Sequence, residues 1–269
     1  MKNNKIKIGV FFLFFFCANI LLAQKIIKIK GSKGTAFISG DISPNEAKKR
    51  AINEAKINAL KAAGVSENIK TFELLYTSES DKDYQQFFSS NIQSEMQGNI
   101  LDYQIIKEET IQKNELELYL EVTISASVIK YETTPDVTFD VNIQGIKAVY
   151  NNNELLKFNI KTSQHSFLTI FNITDTEASV FFPNSYETKN ELSPLVSHKF
   201  PSKLIDYELT TDLKDKETNR LLFVFTKTYI PFIKMDKNLI TSEDNIFNWI
   251  YSIKPDQRNV QYYSLIILK

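Results

Sequence analysis

Apolar and polar residues alternate strictly between Leu116 and Val128. Leucine, valine, isoleucine and alanine fill every second position of this stretch, and glutamate, tyrosine, threonine and serine fill the positions between them. A period of two predicts a strand with one buried face and one solvent-exposed face. A slip of one residue would expose every apolar side chain, so this strand should fix the register of its neighbours.

A helix is predicted between Ser43 and Gly64. Ser43 is a capping residue, Pro44 suits the first helical position, and Glu46 lies three residues after the cap. Small side chains let a helix axis approach a sheet closely, so we expect its alanine stripe to pack on the strand at 116–128; a partner-binding groove is the alternative. The stripe consists of Ala47, Ala51, Ala55, Ala59, Ala62 and Ala63, with Ile52 beside them.

Strands are predicted on both sides of this helix. Gln24–Lys30 and Thr35–Gly40 are two short strands joined by the loop Gly31–Gly34. Ile100–Glu109 is a strand that turns through Gln112–Asn114 into the strand at 116–128. Together these elements predict a hairpin and an antiparallel sheet.

Between the helix and the hairpin the pattern changes. Tyr84, Phe87, Phe88, Ile92 and Met96 recur at helical spacing and Gly98 follows as a stop, so 82–97 is predicted as a second amphipathic helix. The stretch at 68–76 fits a helix and a strand equally well.

The segment Tyr131–Pro135 breaks the long strand, because proline cannot donate to a ladder. Beyond it, short apolar or alternating runs are separated by polar clusters, which is typical of two packed antiparallel sheets. Leu221–Phe225 is apolar on both faces and should be a central strand. The predicted strands are Val137–Ile143, Leu155–Ile160, Phe167–Ile173, Ala178–Phe182, Leu204–Leu209, Leu221–Phe225 and Gln261–Leu268.

One helix is predicted in this second half. Thr241 to Asp244 form a capping sequence with acids in the first turn, and Pro255 ends the helix. The pattern as a whole predicts an α+β fold: residues 24–134 form an antiparallel sheet packed with helices, and residues 135–269 form a mostly-β, sandwich-like domain with one C-terminal helix. We expect each half to fold alone.

The first half is similar to the N-terminal domain of flagellar assembly protein T and of related outer-membrane lipoproteins. The resemblance covers about residues 30–130. It implies a periplasmic assembly or ring-building module without enzymatic activity. The residues that carry it are Gly34-Thr35-Ala36, the helix start Glu46 to Ala51, Gly98-Asn99-Ile100-Leu101-Asp102-Tyr103 and the terminal alternating strand.

The second half, over about residues 135–265, resembles an uncharacterised bacterial family, one of the domains of unknown function. This resemblance implies a fold and an envelope context, and no activity. The matching residues are Phe167 to Phe171, Phe181-Phe182-Pro183-Asn184, Phe200-Pro201, the Leu221–Phe225 strand and Tyr229-Ile230-Pro231.

Residues 1–23 have the pattern of an export signal. Three lysines precede an apolar run at Ile8–Phe16, and Leu21-Leu22-Ala23 is a small-residue cleavage site. The apolar run is shorter than the roughly 20 residues of a membrane span, which disfavours an uncleaved anchor. Lipidation at Cys17 is a third alternative, disfavoured because phenylalanines precede the cysteine where a small residue is needed. The mature chain is therefore expected in the periplasm or at the outer-membrane periphery, with no integral span.

Charge and cysteine content narrow the function classes. Subtracting the three signal lysines from 32 basic residues leaves 29 against 32 acidic ones, which argues against a nucleic-acid partner. The single cysteine, Cys17, leaves with the signal, so no disulfide or thiol chemistry is expected.

No catalytic, cofactor-binding or metal-binding residue stands out in the sequence. His165 and His198 lack a second ligand at metal-binding spacing, and no G-x-S-x-G motif or glycine-rich phosphate loop is present. Glu108 and Glu109 form a carboxylate pair that could do acid and base work, although solvated strand ends explain them as well. One turn, comprising Phe182, Pro183, Asn184 and Tyr186, is the candidate partner-binding site, with core residues followed by a Pro-Asn turn as the alternative.

Two functions follow from these observations. The first is a non-catalytic exported envelope protein, a binding or scaffold module whose partner is an envelope protein or a cell-wall component. The alternative is a periplasmic hydrolase whose carboxylates converge only in three dimensions. A deep cleft holding two carboxylates with shifted pKa values would favour the hydrolase.

Overall fold

The computed structural model describes residues 25–38, 42–65, 98–114, 117–174, 176–202, 205–211 and 215–269. The predicted export signal, the stretch at 68–76 and the predicted helix at 82–97 lie outside these residues. Within them the fold is rich in β-structure. Its strands are β1 Lys25–Ile38, β2 Gly98–Asn114, β3 Glu117–Lys130, β4 Val141–Gln144, β5 Val149–Asn151, β6 Glu154–Leu155, β7 Phe158–Thr162, β8 Ser166–Ile173, β9 Ala178–Phe182, β10 Glu191–Leu192, β11 Ser197–Phe200, β12 Glu208–Leu209, β13 Lys216–Thr226, β14 Ile240–Thr241 and β15 Arg258–Leu268; its helices are α1 Pro44–Ala62 and α2 Glu243–Ser252, with a 3-10 turn at Pro255–Gln257.

The first half is a three-stranded antiparallel sheet in the order β1-β3-β2, and α1 packs mainly over β1 and β3. The alternation in β3 is confirmed: its apolar residues from Leu120 to Val128 are buried against α1. Leu118 at the hairpin end is the exception, with 37% of its surface exposed. The central position of β3 explains why its pattern is the clearest in the chain.

The prediction of two N-terminal strands is wrong for the residues that can be described. β1 is continuous from Lys25 to Ile38 and pairs with β3 on both sides of a register shift between Lys30 and Ser32. Gly31 takes a φ of 76° at this shift, which is the conformation a bulge with glycine uses. The glycine therefore bends one strand instead of ending it.

Helix α1 begins and ends as predicted. The Ser43 hydroxyl accepts a hydrogen bond from the Glu46 amide, and Gly64 adopts a left-handed φ of 75° just past the end. Ala47, Ala51, Ala55 and Ala59 are fully buried. Ala62 is exposed, so its place in the predicted stripe is wrong.

Replacing Ala55 by leucine should destabilise the protein by about 1 to 3 kcal/mol, because extra methylenes in a close helix-sheet contact force the backbone apart. Denaturant unfolding of Ala55→Leu and of the control Arg50→Leu on the exposed side of α1 checks this. Equal stability of the two variants would mean that the stripe does not set the helix-sheet distance.

The second half packs a three-stranded sheet, in the order β11-β7-β4, on a seven-stranded sheet. The path through the larger sheet is β14-β9-β8-β13-β15-β5, with β10 added beside β8. β13 is central and buried on both faces, as predicted: Leu221, Phe223 and Phe225 face the small sheet, and Leu222 and Val224 face α2. A two-stranded ribbon of β6 and β12 completes this half.

Several predicted strand limits are wrong. The run Leu155–Ile160 is split between β6 and β7, which belong to different sheets. The run Val137–Ile143 becomes a strand only at Val141, because the Asp136 carboxylate accepts the Thr138 amide in a turn and leaves Val137 94% exposed. The short strands β5, β10, β11 and β14 have no signal of their own, since each is only two to four residues long.

The predicted boundary at Tyr131–Pro135 divides the sheets but not the core. One apolar cluster runs from α1 and β3 through Tyr131 to α2 and the outer face of the seven-stranded sheet. A second cluster lies entirely within the second half, between its two sheets. The independent folding of the two halves stays a prediction. Because the halves share an apolar cluster, separating them should lower the stability of each by a measurable amount.

Asp136 anchors the chain just after this boundary. Its carboxylate accepts hydrogen bonds from Lys227, from Thr138 and from Gln164, and these bonds hold its pKa well below the usual range.

Because the pKa is lowered in the folded state, this stabilisation is present above the unfolded pKa of about 4 and is lost as the pH falls below it. Asp136→Asn should therefore be less stable than wild type at pH 7, and the difference should shrink below about pH 4. Denaturant unfolding at pH 7, 5 and 3 checks this, with Asp140→Asn as the exposed control. A difference that stays constant with pH would contradict it.

Candidate functional site

A cleft of about 1000 Å³ lies where the two halves meet. Helix α1 forms one wall, the start of β2 forms the floor, and helix α2 forms the other wall. The described residues that line it are Asn45, Lys48, Lys49, Ile52, Asn53, Lys56, Asn99, Ile100, Leu101, Asp102, Tyr103, Lys234, Glu243, Asp244, Phe247, Asn248 and Tyr251.

The α1 wall follows from helical geometry. Its lining residues recur three or four positions apart from Asn45 to Lys56, which places them on one face of the helix. The alanine stripe points to the sheet, so the adjacent face, with three lysines and two asparagines, points along the floor. Lys48 reaches over the floor strand and pairs with Glu108 at 2.6 Å.

Lys56 is a half-buried cation on the α1 wall of the cleft. Its ammonium lies 4.4 Å from the centroid of the Tyr103 ring, a cation–π contact between wall and floor. Burial lowers the pKa of Lys56, and the negative charge of Asp244 on the opposite wall opposes this shift. Burial and the same Asp244 charge raise the pKa of Tyr103. The three groups therefore link α1, β2 and α2 electrostatically.

The α2 wall carries opposite charge. Ser242 caps the helix through the Asn245 amide, and Glu243 and Asp244 lie in its first turn, where carboxylates complement the helix dipole. One turn and two turns further on, Phe247 and Tyr251 present rings to the cleft. The cleft thus has a basic wall, an acidic wall, amide side chains and aromatic rings, a combination suited to binding a polar partner with apolar groups.

The predicted partner-binding turn is divided by the structure. Phe182 is 5% exposed and belongs to the core of the second half. The Asn184 side chain is occupied inside the turn: its amide donates to Phe181 O and to the Tyr207 hydroxyl, and its oxygen accepts the Tyr186 amide. Tyr186 is 75% exposed, and Pro183 is half-buried. Of the four candidates, only Tyr186 projects into solvent.

A buried carboxylate, which no sequence pattern singles out, holds this turn. Glu187 is 3% exposed, and its Oε1 accepts the Ser202 amide at 2.7 Å together with the Ser202 hydroxyl. Glu187 thereby ties the Phe182-Pro183 turn to the Phe200-Pro201 turn. Phe182 and Phe200 also contact each other edge to face, with ring centroids 5.5 Å apart. The two Phe-Pro phrases in the sequence are the signal for this pairing.

The other candidates stay apart. His165 contacts Glu191, with Nε2 2.8 Å from the carboxylate, and His198 contacts Ser193. Glu108 and Glu109 bind Lys48 and Lys107 respectively, and they point to opposite faces of the sheet. Among the described residues no group of three or more histidine, cysteine, aspartate and glutamate side chains could hold a metal ion.

Comparison with known proteins gives one family match. Residues 149–228 match the sequence model of a domain of unknown function, DUF4384. This match supports the predicted resemblance of the second half to a family of unknown function, over a shorter range than expected. No curated protein matches the chain. The likeness of the first half to flagellar assembly protein T stays a prediction.

The matched range runs from β5 into the segment after β13 and includes both Phe-Pro turns. The lining residues of the cleft all lie outside it. Within the described ranges, no helix is long and apolar enough to span a membrane.

Proposed function

We propose that this protein is a non-catalytic, exported protein of the cell envelope that binds a protein or cell-wall partner in the cleft between α1, β2 and α2. The observation that carries the proposal is the lining of this cleft, where lysines and asparagines of one wall face carboxylates and aromatic rings of the other. We assign residues 24–134 to an α+β, assembly-type unit and residues 135–269 to a sandwich-like unit. The cleft is formed jointly by the two.

The charges of the cleft support binding more than hydrolysis. A general acid needs a carboxyl group whose pKa is raised towards neutrality. Among the described residues, the carboxyl groups with a shifted pKa all have it lowered. These groups are Glu109, Asp136, Glu154, Glu191 and Asp256. The hydrolase alternative therefore has no supporting observation in this part of the chain.

Charge reversal at the rim of the cleft tests the binding site. Lys49 and Lys234 are exposed and line it from different elements, so Lys49→Glu with Lys234→Glu changes its charge without emptying the core. Lys161→Glu with Lys199→Glu makes the same change on the three-stranded sheet of the second half, away from the cleft. Tagged full-length proteins are crosslinked in the native envelope and purified.

The species crosslinked to wild type should persist with the variant of the three-stranded sheet and disappear with the cleft variant. Loss with both variants, or with neither, would contradict a partner in the cleft.

Export is the second part of the proposal. The lysines, apolar run and Leu21-Leu22-Ala23 site support cleavage after Ala23. N-terminal sequencing of the protein from the envelope fraction should begin at Gln24. A mature protein that retains Met1 would contradict this part without affecting the cleft.

A further inference from the structure

A half-buried arginine, Arg258, lies at the joint between the two halves. The centre of the Arg258 guanidinium is 5.3 Å from the ring centroid of Tyr131 and 5.0 Å from that of Tyr251. Tyr131 follows directly on β3 in the first half, whereas Tyr251 belongs to α2 in the second half. The guanidinium thus contacts rings contributed by both halves.

Hydrogen bonds fix the orientation of this guanidinium. Its Nη1 donates to the carbonyl of Ile253, just past the end of α2, at 2.7 Å, and also to the carbonyl of Ile250, which accepts the Ile253 amide as well. A cation at a helix C-terminus also complements the helix dipole. Arg258 therefore holds the end of the helix that forms one wall of the cleft.

A third contact joins that helix directly to the first half. The Tyr131 hydroxyl donates to the Tyr251 carbonyl at 2.6 Å, and Tyr131 is 6% exposed. Burial raises the pKa of Tyr131, with the Arg258 charge opposing the shift, so the hydroxyl keeps its proton at neutral pH.

The connection between the halves is anchored at both ends. Tyr131 is held by the contacts above, and Asp136 is held by Lys227 and Gln164 of the second half. Only residues 132–135 separate these two anchors. A hinge would have to break one set of buried or charge-assisted bonds.

We infer that Arg258 is a positioning residue that fixes the separation of the two cleft walls, so the two halves move as one body. A planar guanidinium presents its faces to aromatic rings and its N–H groups in a rigid fork, whereas the compact ammonium of lysine has neither the planar face nor the fixed geometry. The importance of this geometry for a partner rests on the proposed function, whereas the geometry itself does not.

The cysteine content of the chain allows a direct test. Cys17 is its single cysteine and lies within the predicted signal, so a mature chain with Lys30→Cys and Lys199→Cys carries spin labels at two chosen positions. Lys30 lies on edge strand β1 of the first half, and Lys199 lies on β11 of the second half; both are exposed. Double electron–electron resonance then measures the distribution of distances between the halves, without any partner present.

The parent and the control Arg50→Ala, which loses an exposed ion pair of α1, should both give one narrow distribution. Arg258→Ala should broaden it or add a second population while circular dichroism stays unchanged, and Arg258→Lys should not restore the narrow form. A broad distribution in the parent, or a narrow one in folded Arg258→Ala, would overturn the inference.

If Arg258→Ala does not fold, Arg258→Lys decides, since it keeps the positive charge and removes only the planar guanidinium. A broadened distribution supports the inference about Arg258, and a distribution as narrow as the parent's overturns it. None of these outcomes depends on whether a partner binds the cleft.

Discussion

Replacing Gly34 by alanine should destabilise the protein by about 3 kcal/mol or more, the upper end of the usual cost of overpacking. A β-carbon at this position would lie far inside van der Waals distance of the Ala51 carbonyl and the Ala55 amide nitrogen. Both obstacles are backbone atoms of α1, so no side-chain rotation can make room. The helix would have to move away from the sheet.

Moving the helix would also break the bonds that hold it on β1. The Ser32 hydroxyl donates to the Ala55 carbonyl at 2.7 Å, and Asn58 donates to the Lys33 carbonyl at 2.9 Å. Ser32 is buried, so its hydroxyl would be left without a partner away from water.

Denaturant unfolding of Gly34→Ala and of Lys30→Ala, an exposed change in the same strand, measures the effect. Near-wild-type stability of Gly34→Ala would mean that α1 is held farther from β1 than the structure places it.

Cutting the chain at the predicted boundary should cost about 3 kcal/mol or more in each fragment, the range for removing a large aromatic residue from a core. Fragment 24–134 loses the partners of Tyr131, and fragment 135–269 leaves Arg258 and Tyr251 facing water. Each fragment still keeps a sheet with its own buried face. We therefore expect both to fold with lower melting temperatures than the full mature chain, which should melt in one transition.

Calorimetry of the two fragments and of the mature chain tests this expectation. Two transitions in the mature chain at the fragments' own temperatures would mean that the joint contributes nothing. A fragment without a cooperative transition would mean that the halves are one folding unit.

Local patterns in the sequence were sufficient for the elements that carry their own signal. β3 has an uninterrupted period of two, and α1 has a cap, a stripe and a terminal glycine, so each could be placed without knowing its neighbours. β13 is apolar on both faces because the three-stranded sheet covers one face and α2 covers the other. The ends of strands were harder to predict, since a glycine such as Gly31 permits a loop and a bulge equally well.

The cleft could not have been found in this way. Lys56, Tyr103 and Asp244 meet only because α2 returns from the end of the chain to the first half. Each residue alone has the pattern of an ordinary surface position. Glu187 is similar: its burial depends on Ser202, which reaches it from a separate turn.

Site-specific photo-crosslinking in the native envelope tests the central claim most directly. A photoreactive amino acid is placed at Asn248, on the α2 wall of the cleft. In a matched protein it is placed at Lys199, on the three-stranded sheet of the second half. A bound partner predicts a discrete product of higher mass from position 248 and none from position 199. The same pattern from both positions, or no product from position 248, would contradict a partner held in the cleft.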